Sequence, residues 1–244
     1  MLSKKEIKDI QSLRHKEARA EQGFFLAEGP KIIPELAGLI PEAFHRVYAT
    51  EAYLAAHPLP DRISRAVVAP HELKKISQLQ TPNGALALLR LFDNRQPIEA
   101  SFSLYLDTIQ DPGNFGTILR IADWFGVKQV VCSAGCADLY NPKVVQSTMA
   151  SIARVHVYYD EDGSWFDRQR GPIYAAALDG ESLYGLSPAK EGLLLIGNES
   201  KGIRPSYLAR ATHRVTIPRI GGAESLNAAV ATGIVLSHLV GKGS

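Results

Sequence analysis

The stretch Gly-Leu-Leu-Leu-Ile-Gly-Asn-Glu-Ser-Lys-Gly at residues 192–202 decides the fold class of this chain. Four consecutive apolar residues, without polar alternation, are typical of a strand that is covered on both faces of a parallel sheet. The polar loop Gly197–Gly202 follows directly, and ligands of parallel α/β sheets bind in the loops after the carboxyl ends of the strands. Its glycines match neither GxxxxGK[ST] nor GxGxxG. Taken alone, the loop could be a plain polar turn.

The residues around this stretch alternate between strand and helix patterns. LYLD, QVVCS, RVHVYY, PIYAAAL and RVTIP read as further strands. Helical patterns cover residues 114–125, the segment after Asn141-Pro142, and residues 226–240, where apolar residues recur at helical spacing. The second part of the chain is therefore predicted to be an α/β domain with a mostly parallel sheet.

A polar, proline-containing segment at residues 93–99 separates the apolar runs LALLRL and LYLD and predicts a domain boundary. Residues 1–95 alternate helices and strands in a small α/β domain, and residues 100–244 form the second domain. A capping box of Ser3 and Glu6 predicts a first helix that runs to about Ala20. Residues 1–95 hold 14 Lys and Arg against 11 Asp and Glu, a mild basic bias that could contact phosphates or form a solvated face.

The composition is that of an ordinary soluble protein, with 45% hydrophobic and 21% charged residues. The start of the chain is charged and lacks the apolar core of a signal peptide. The longest weakly polar run, near the C-terminus, is interrupted by four polar residues and suits a packed helix rather than a membrane span, so we expect no membrane partner. Cys132 and Cys136 have no second pair to complete a zinc site, and we expect no metal. Two reduced thiols are typical of a cytoplasmic protein.

A second polar loop, Asp107 to Arg120, follows the strand LYLD. A turn at Asp111-Pro112-Gly113 is predicted to bring Asn114 to the start of a helix, where its amide can cap the helix or hold a ligand hydroxyl. Arg120 lies off the apolar stripe of that helix. It is either a surface residue that pairs with Asp123 or lies against Trp124, or a phosphate clamp.

A third loop, residues 217–227, precedes the final helix. Ser225 is predicted to be the N-cap, with Asn227 in the first turn. Capping alone does not explain Asn227, a poor helix former that is followed by small residues.

Together and in this order, the three loops resemble the motifs of the SpoU (TrmH-like) RNA ribose methyltransferases of the SPOUT superfamily. The matching segments are DPGNFGTILRIADWFGV, LLLIGNESKGI and VTIPRIGGAESLNAAVATGIVL, within about residues 104–239. Ala150 and Ser200 stand where the family often has glycine. GFFLAEGPK and KKISQLQTPNGALAL resemble the ribosomal-protein-like RNA-binding domain that often precedes the family's catalytic domain.

The resemblance implies a knotted (trefoil) methyltransferase domain at residues 100–244 and an RNA substrate-binding domain at residues 1–95. It also implies a homodimer with the active site near the subunit interface. The implied cofactor is S-adenosylmethionine, bound against Ala177, Leu178, Gly197, Ile217 and Leu226.

The implied reaction is methylation of a ribose 2′-hydroxyl of structured RNA, with rRNA a better candidate than tRNA. Guanidinium groups stay protonated, so we expect Arg120 to clamp the 3′ phosphate rather than act as a base. Asn114 would hold the ribose or Arg120, Glu199 would fix Arg120 or a neighbouring loop, and Ser225 and Asn227 would orient substrate and loops. A knotted enzyme that methylates a base and a non-catalytic RNA-binding homologue stay open as alternatives.

Overall fold

The computed structural model describes residues 1–92 and 96–240. The chain divides into two compact units, Met1–Asn94 with Asp138–Ala153, and Arg95–Ala137 with Arg154–Ser244. Of the predicted boundary at 93–99, residues 93–95 lie outside the described residues.

The first unit is built on a four-stranded sheet with helices before and between its strands. Strands β1 and β4 pair antiparallel, as do β2 and β4, whereas β2 and β3 pair parallel, which gives the order β1-β4-β2-β3. The elements are α1 (Lys4–Ser12), α2 (Lys16–Gln22), β1 (Phe24–Glu28), α3 (Ile32–Leu39), β2 (Phe44–Ala49), α4 (Glu51–Ala56), β3 (Arg65–Val67), α5 (Pro70–Ile76) and β4 (Ala85–Arg90).

The single helix expected from Ser3 to Ala20 is wrong, because the segment is broken into α1 and α2. The predicted capping box is confirmed: the Ser3 hydroxyl accepts from the Glu6 backbone N–H, and the Glu6 carboxylate accepts from that of Ser3. The break follows Leu13, whose carbonyl accepts a 2.7 Å hydrogen bond from the buried Arg19 side chain. A side chain six positions further along the chain thus satisfies this carbonyl in place of a helix N–H group.

The second unit is built on a six-stranded sheet in which every pair of neighbouring strands is parallel, in the order β10-β8-β9-β5-β6-β7. The strands are β5 (Phe102–Leu106), β6 (Gln129–Ser133), β7 (His156–Asp160), β8 (Ile173–Ser182), β9 (Gly192–Ile196) and β10 (His213–Thr216). The remaining helices, in chain order, are α6 (Pro112–Trp124), α7 (Pro142–Thr148), α8 (Ser164–Asp167), α9 (Pro205–Leu208) and α10 (Ala228–Leu239). The α/β class and the parallel sheet predicted from residues 193–196 are confirmed.

Helix α7 belongs to the first unit although the chain reaches it after β6. Its start is as predicted, with Asn141 as N-cap and Pro142 in the first turn. After it, Met149 and Ala150 have φ values of 47° and 72°, in the left-handed region that glycine adopts most easily. This conformation gives a physical reason for the glycine that the resembling family often has at position 150.

Strand β5 lies between β9 and β6, so the strand order reverses beside β5. A reversal of this kind leaves a crevice at the carboxyl ends of the two strands, where ligands of open α/β sheets bind. The crevice here lies between the loops that follow Leu106 and Ile196, which are paired neighbours at the ends of β5 and β9.

Candidate active site

Two of the predicted loops meet at the carboxyl edge of β5 and β9. The backbone of residues 197–203 folds back on itself, with hydrogen bonds of 3.0 and 2.9 Å between Asn198 and Gly202. The Asn198 amide donates to the Thr108 carbonyl at 2.8 Å and so joins the two loops. A Cβ on Gly197 would lie 2.4 Å from backbone atoms of Gly202 and Ile203, so only glycine fits this turn without movement.

Asn114, Glu199 and Asn227 form one hydrogen-bonded trio, which brings all three loops together. The Asn114 amide donates to Glu199 Oε1 at 2.7 Å, and the Asn227 amide donates to Asn114 Oδ1 at 2.8 Å. Glu199 and Asn227 are exposed and Asn114 is half-buried. The trio therefore presents a carboxylate and amide N–H groups to solvent, a set that can bind sugar hydroxyls.

Asn114 lies in the first turn of its helix, as predicted, but it does not cap that helix, and the prediction of Ser225 as an N-cap is wrong. Helix α6 begins at Pro112, and the Asp111 carboxylate caps it by accepting from the Asn114 backbone N–H at 2.7 Å. Helix α10 is capped by Asn227, whose Oδ1 accepts from the backbone N–H groups of Ala229 and Val230. The short Asn side chain reaches these groups and still donates to Asn114, which leaves Ser225 as an exposed coil residue.

Arg120 lies on the exposed face of α6, six residues after Asn114, which is about 1.7 turns and about 9 Å further along the axis. Within ranges 1–92 and 96–240, Arg120 makes no hydrogen bond, ion pair or ring contact. Asp123 pairs instead with Arg154 at 2.7 Å, and Trp124 is 85% exposed. Both simpler interpretations of Arg120 are therefore wrong, and its guanidinium is available to an external anion.

The strands β10, β8 and β9 lie side by side in the sheet. Four of the five residues predicted to bind cofactor lie in β8 or directly after β9 and β10. Gly197 follows β9, Ile217 follows β10, and the Thr216 hydroxyl donates to the Leu178 carbonyl at 3.3 Å. Ala177, beside Leu178 in β8, is half-buried. The fifth residue, Leu226, stands two positions before α10.

Apolar side chains are exposed around this edge: Leu178 is 78% and Leu226 47% exposed. Leu178 lies in β8, the neighbour of the strand that ends directly before Gly197. Exposed apolar groups beside close-packed backbone suit a flat, apolar ligand with a few polar atoms, such as a purine nucleoside.

A buried polar network that was not predicted from the sequence anchors the loop after β9. Asp107, 1% exposed, accepts from the Arg204 backbone N–H at 2.7 Å and from its Nε at 2.6 Å. The Arg204 guanidinium lies 4.3 Å from the centre of the Tyr207 ring. The Tyr207 hydroxyl is 3.0 Å from that of Tyr105, and burial raises the pKa of Tyr105 well above its ordinary value. A carboxylate directly after a buried strand was the available signal for Asp107.

Comparison with known proteins adds to this geometry. The description "SpoU rRNA Methylase family" matches residues 101–237, more than half of the chain. The chain belongs to the SpoU rRNA methylase family. Residues 4–87 of this SpoU chain match the family description "MRM3-like substrate binding domain".

Individual relatives agree with this membership. The chain is 29% identical to 23S rRNA (guanosine(2553)-2′-O)-methyltransferase RlmP of Bacillus subtilis, over 96% of each protein. A solved structure from Porphyromonas gingivalis, assigned to the TrmH family of RNA methyltransferases, has 37% identity and a TM-score of 0.88 over the whole of both chains. An AdoMet-bound rRNA methyltransferase from Sinorhizobium meliloti has 26% identity and a TM-score of 0.79, over 98% of this chain and 95% of that one.

Two features are absent from the described part of the chain. No helix in it is long and apolar enough to cross a membrane. Nor does it contain a group of three or more His, Cys, Asp or Glu side chains that could hold a metal ion.

Proposed function

We propose that this SpoU chain transfers a methyl group from S-adenosylmethionine to a ribose 2′-hydroxyl of structured RNA, with rRNA the preferred substrate over tRNA. The observation that carries the proposal is the Asn114–Glu199–Asn227 trio at the strand-order reversal, with an unpaired Arg120 on the same helix as Asn114. The rRNA ribose methyltransferase from Bacillus subtilis, similar over almost its full length, supports the choice of reaction and substrate.

The residues at the carboxyl edge fit S-adenosylmethionine. Exposed Leu178 and Leu226 offer apolar surface to an adenine ring, and the backbone near Gly197 and Ile217 offers donors and acceptors to its edge and ribose. When bound there, the cofactor supplies an electrophilic methyl group on a sulfonium centre. The AdoMet-bound relative from Sinorhizobium meliloti supports this assignment.

The catalytic contribution of the chain is positioning and charge stabilisation. The 2′-hydroxyl must attack the methyl group in line, so orientation supplies a large part of the rate acceleration. In the proposed arrangement, the free oxygen of Glu199 and the N–H groups of Asn114 and Asn227 orient the ribose. Arg120 clamps the neighbouring 3′ phosphate as a permanently protonated guanidinium, and the hydroxyl proton leaves through phosphate or water. Ser225 is exposed beside the trio, where its hydroxyl can bind substrate.

Three further properties belong to the same proposal: a homodimer, a trefoil knot and a cytoplasmic location. Exposed Trp124 on α6 and Val230 on α10, at 85% and 50%, are apolar surface that a second copy could bury. Helices α6 and α10 pack against each other, so Trp124 and Val230 belong to the same compact unit. The knot is inferred from family membership, and the cytoplasm from the free thiols of Cys132 and Cys136.

The test is methylation in vitro with methyl-labelled S-adenosylmethionine and rRNA prepared from cells that lack this protein. The RNA is digested to nucleosides, and we expect the label in a 2′-O-methyl nucleoside. Label in a base would overturn the ribose assignment in favour of a base methyltransferase. Absence of both methyl transfer and cofactor binding by calorimetry would identify a non-catalytic RNA-binding protein instead.

A further inference from the structure

The first unit contains a cavity of about 370 Å³ that the proposed chemistry does not use. This volume lies in the range of small-molecule pockets, about 300–1,000 Å³. The cavity is formed by the end of β1, the loop after α5 and the start of α7, all of which belong to that unit. Its lining residues are Arg14, Leu26, Glu28, Gln78, Leu79, Asn141, Pro142, Lys143 and Gln146.

One carboxamide in this lining, that of Gln146, is half-buried and open to a ligand. It makes no hydrogen bond among the described residues. The Gln78 side-chain nitrogen also has no hydrogen bond, but it is fully buried and does not face the cavity. The Gln146 carboxamide offers one acceptor and two donor hydrogens, the pattern that pairs with a nucleobase edge.

Glu28 holds the wall of the cavity in place. Its carboxylate accepts from the Ser77 hydroxyl at 2.5 Å and from the Gln78 backbone N–H at 2.7 Å, so both oxygens anchor the loop after α5. Burial raises the pKa of Glu28. The arrangement keeps Gln78 at the cavity wall through a group that is itself only 5% exposed.

The rest of the lining suits the remaining parts of a nucleotide. Leu26, Leu79 and Pro142 supply apolar surface for the flat faces of a base. Arg14 is exposed and uses only its Nε in a hydrogen bond, to the Gln11 carbonyl, so its terminal N–H groups are available to a phosphate. Sequence-specific RNA recognition uses unstacked bases that are bound by their edges and faces, which is the chemistry of this lining.

We infer that this cavity binds one unpaired nucleotide of the RNA substrate, with the carboxamide of Gln146 reading the edge of its base. The inference rests on the proposed function in taking RNA as the ligand. It adds a second point of contact, away from the methylated ribose, that contributes to target choice.

The test measures the full-length protein against labelled hairpin RNAs that share one stem and differ only in a single bulged nucleotide, with a fully paired hairpin for comparison. Wild type should bind one bulged base about tenfold more tightly than the others, within the range expected of a bidentate base contact. Gln146→Leu should lose this preference while binding the paired hairpin as wild type does. Gln80→Leu, the same change at an exposed residue outside the cavity lining, should keep the preference.

Two further variants separate recognition from folding. Gln146→Glu keeps the shape but replaces the donors by an acceptor, so the preferred base should change or the preference should disappear. Gln78→Leu changes a carboxamide nitrogen that does not face the cavity, so this variant should keep the base preference and the melting temperature of wild type.

Equal binding of all bulged bases by wild type, or an unchanged preference in both Gln146 variants, would refute the inference. Displacement of the RNA by mononucleotides that bind more tightly than the hairpins would assign the cavity to a free nucleotide and also refute it. Cofactor binding and methyl transfer are measured on the same proteins. Base preference without methyl transfer would overturn only the proposed function, and methyl transfer without base preference only this inference.

Discussion

Replacement of Gly197 by alanine tests whether the tight turn after β9 is needed for the cofactor site. The new Cβ would lie 2.4 Å from backbone atoms of Gly202 and Ile203, where ordinary contacts begin at 3.4 Å, so this backbone must retreat by about 1 Å. The two hydrogen bonds between Asn198 and Gly202, at 3.0 and 2.9 Å, would then be lost or strongly weakened. At about 1 kcal/mol each, their loss lowers the free energy of unfolding by about 2 kcal/mol, in line with the usual cost of overpacking.

The larger effect is expected on function, because Glu199 lies in the displaced loop and holds Asn114. A misplacement of about 1 Å costs on the order of 100-fold in rate, so we expect that loss in methyl transfer and weaker S-adenosylmethionine binding. Calorimetry measures the binding, labelled methyl transfer the rate and chemical denaturation the stability. Gly185→Ala is the control, since its Cβ would meet no atom within 4 Å. Cofactor affinity and stability equal to wild type in Gly197→Ala would refute the steric reasoning.

Four further predictions concern single residues. Asn227→Ala should lower the free energy of unfolding by about 1 kcal/mol, because the helix cap is lost, and should also lower activity. Asn227→Ser should recover the stability, because serine also caps helices, but not the activity, because its side chain is too short to reach Asn114. Chemical denaturation and the turnover number together check this. Arg120→Lys should lower the turnover number at least tenfold without a new inflection in the pH–rate profile, and an inflection in the lysine range would favour a base over a phosphate clamp. Asp107→Asn should lower the free energy of unfolding by about 2 kcal/mol in denaturant titrations, because the Arg204 side chain loses a charged partner; an unchanged value would contradict the anchoring role of the network. Because burial raises the pKa of Glu28, the folded state binds the proton more tightly than the unfolded state. Wild type should therefore gain stability relative to Glu28→Gln as the pH falls from neutrality through the folded pKa towards 4.5. A stability difference that is constant or falls over this pH range would show that Glu28 is not desolvated.

Much of the fold could be predicted from local pattern. The strands at residues 129–133 and 192–196 were found at or close to their observed ends, because a fully buried strand is apolar on consecutive residues. Helix ends were predicted less well. Ser225 and Asn227 both have capping side chains, and the choice between them depends on which one also bonds to Asn114, a residue 113 positions away.

The candidate site, like the fold, was predictable where it depends on neighbours in the chain and not where it depends on packing. By itself, the sequence determined the parallel α/β class and the three polar loops, because both depend on residues that are neighbours in the chain. Only the tertiary structure decided that Asn114, Glu199 and Asn227 share hydrogen bonds, that Arg120 has no partner among the described residues, and that Asp107 holds Arg204. These contacts join residues about 85 to 113 positions apart. Such distances are closed by strand order and packing, which leave no periodic trace in the chain.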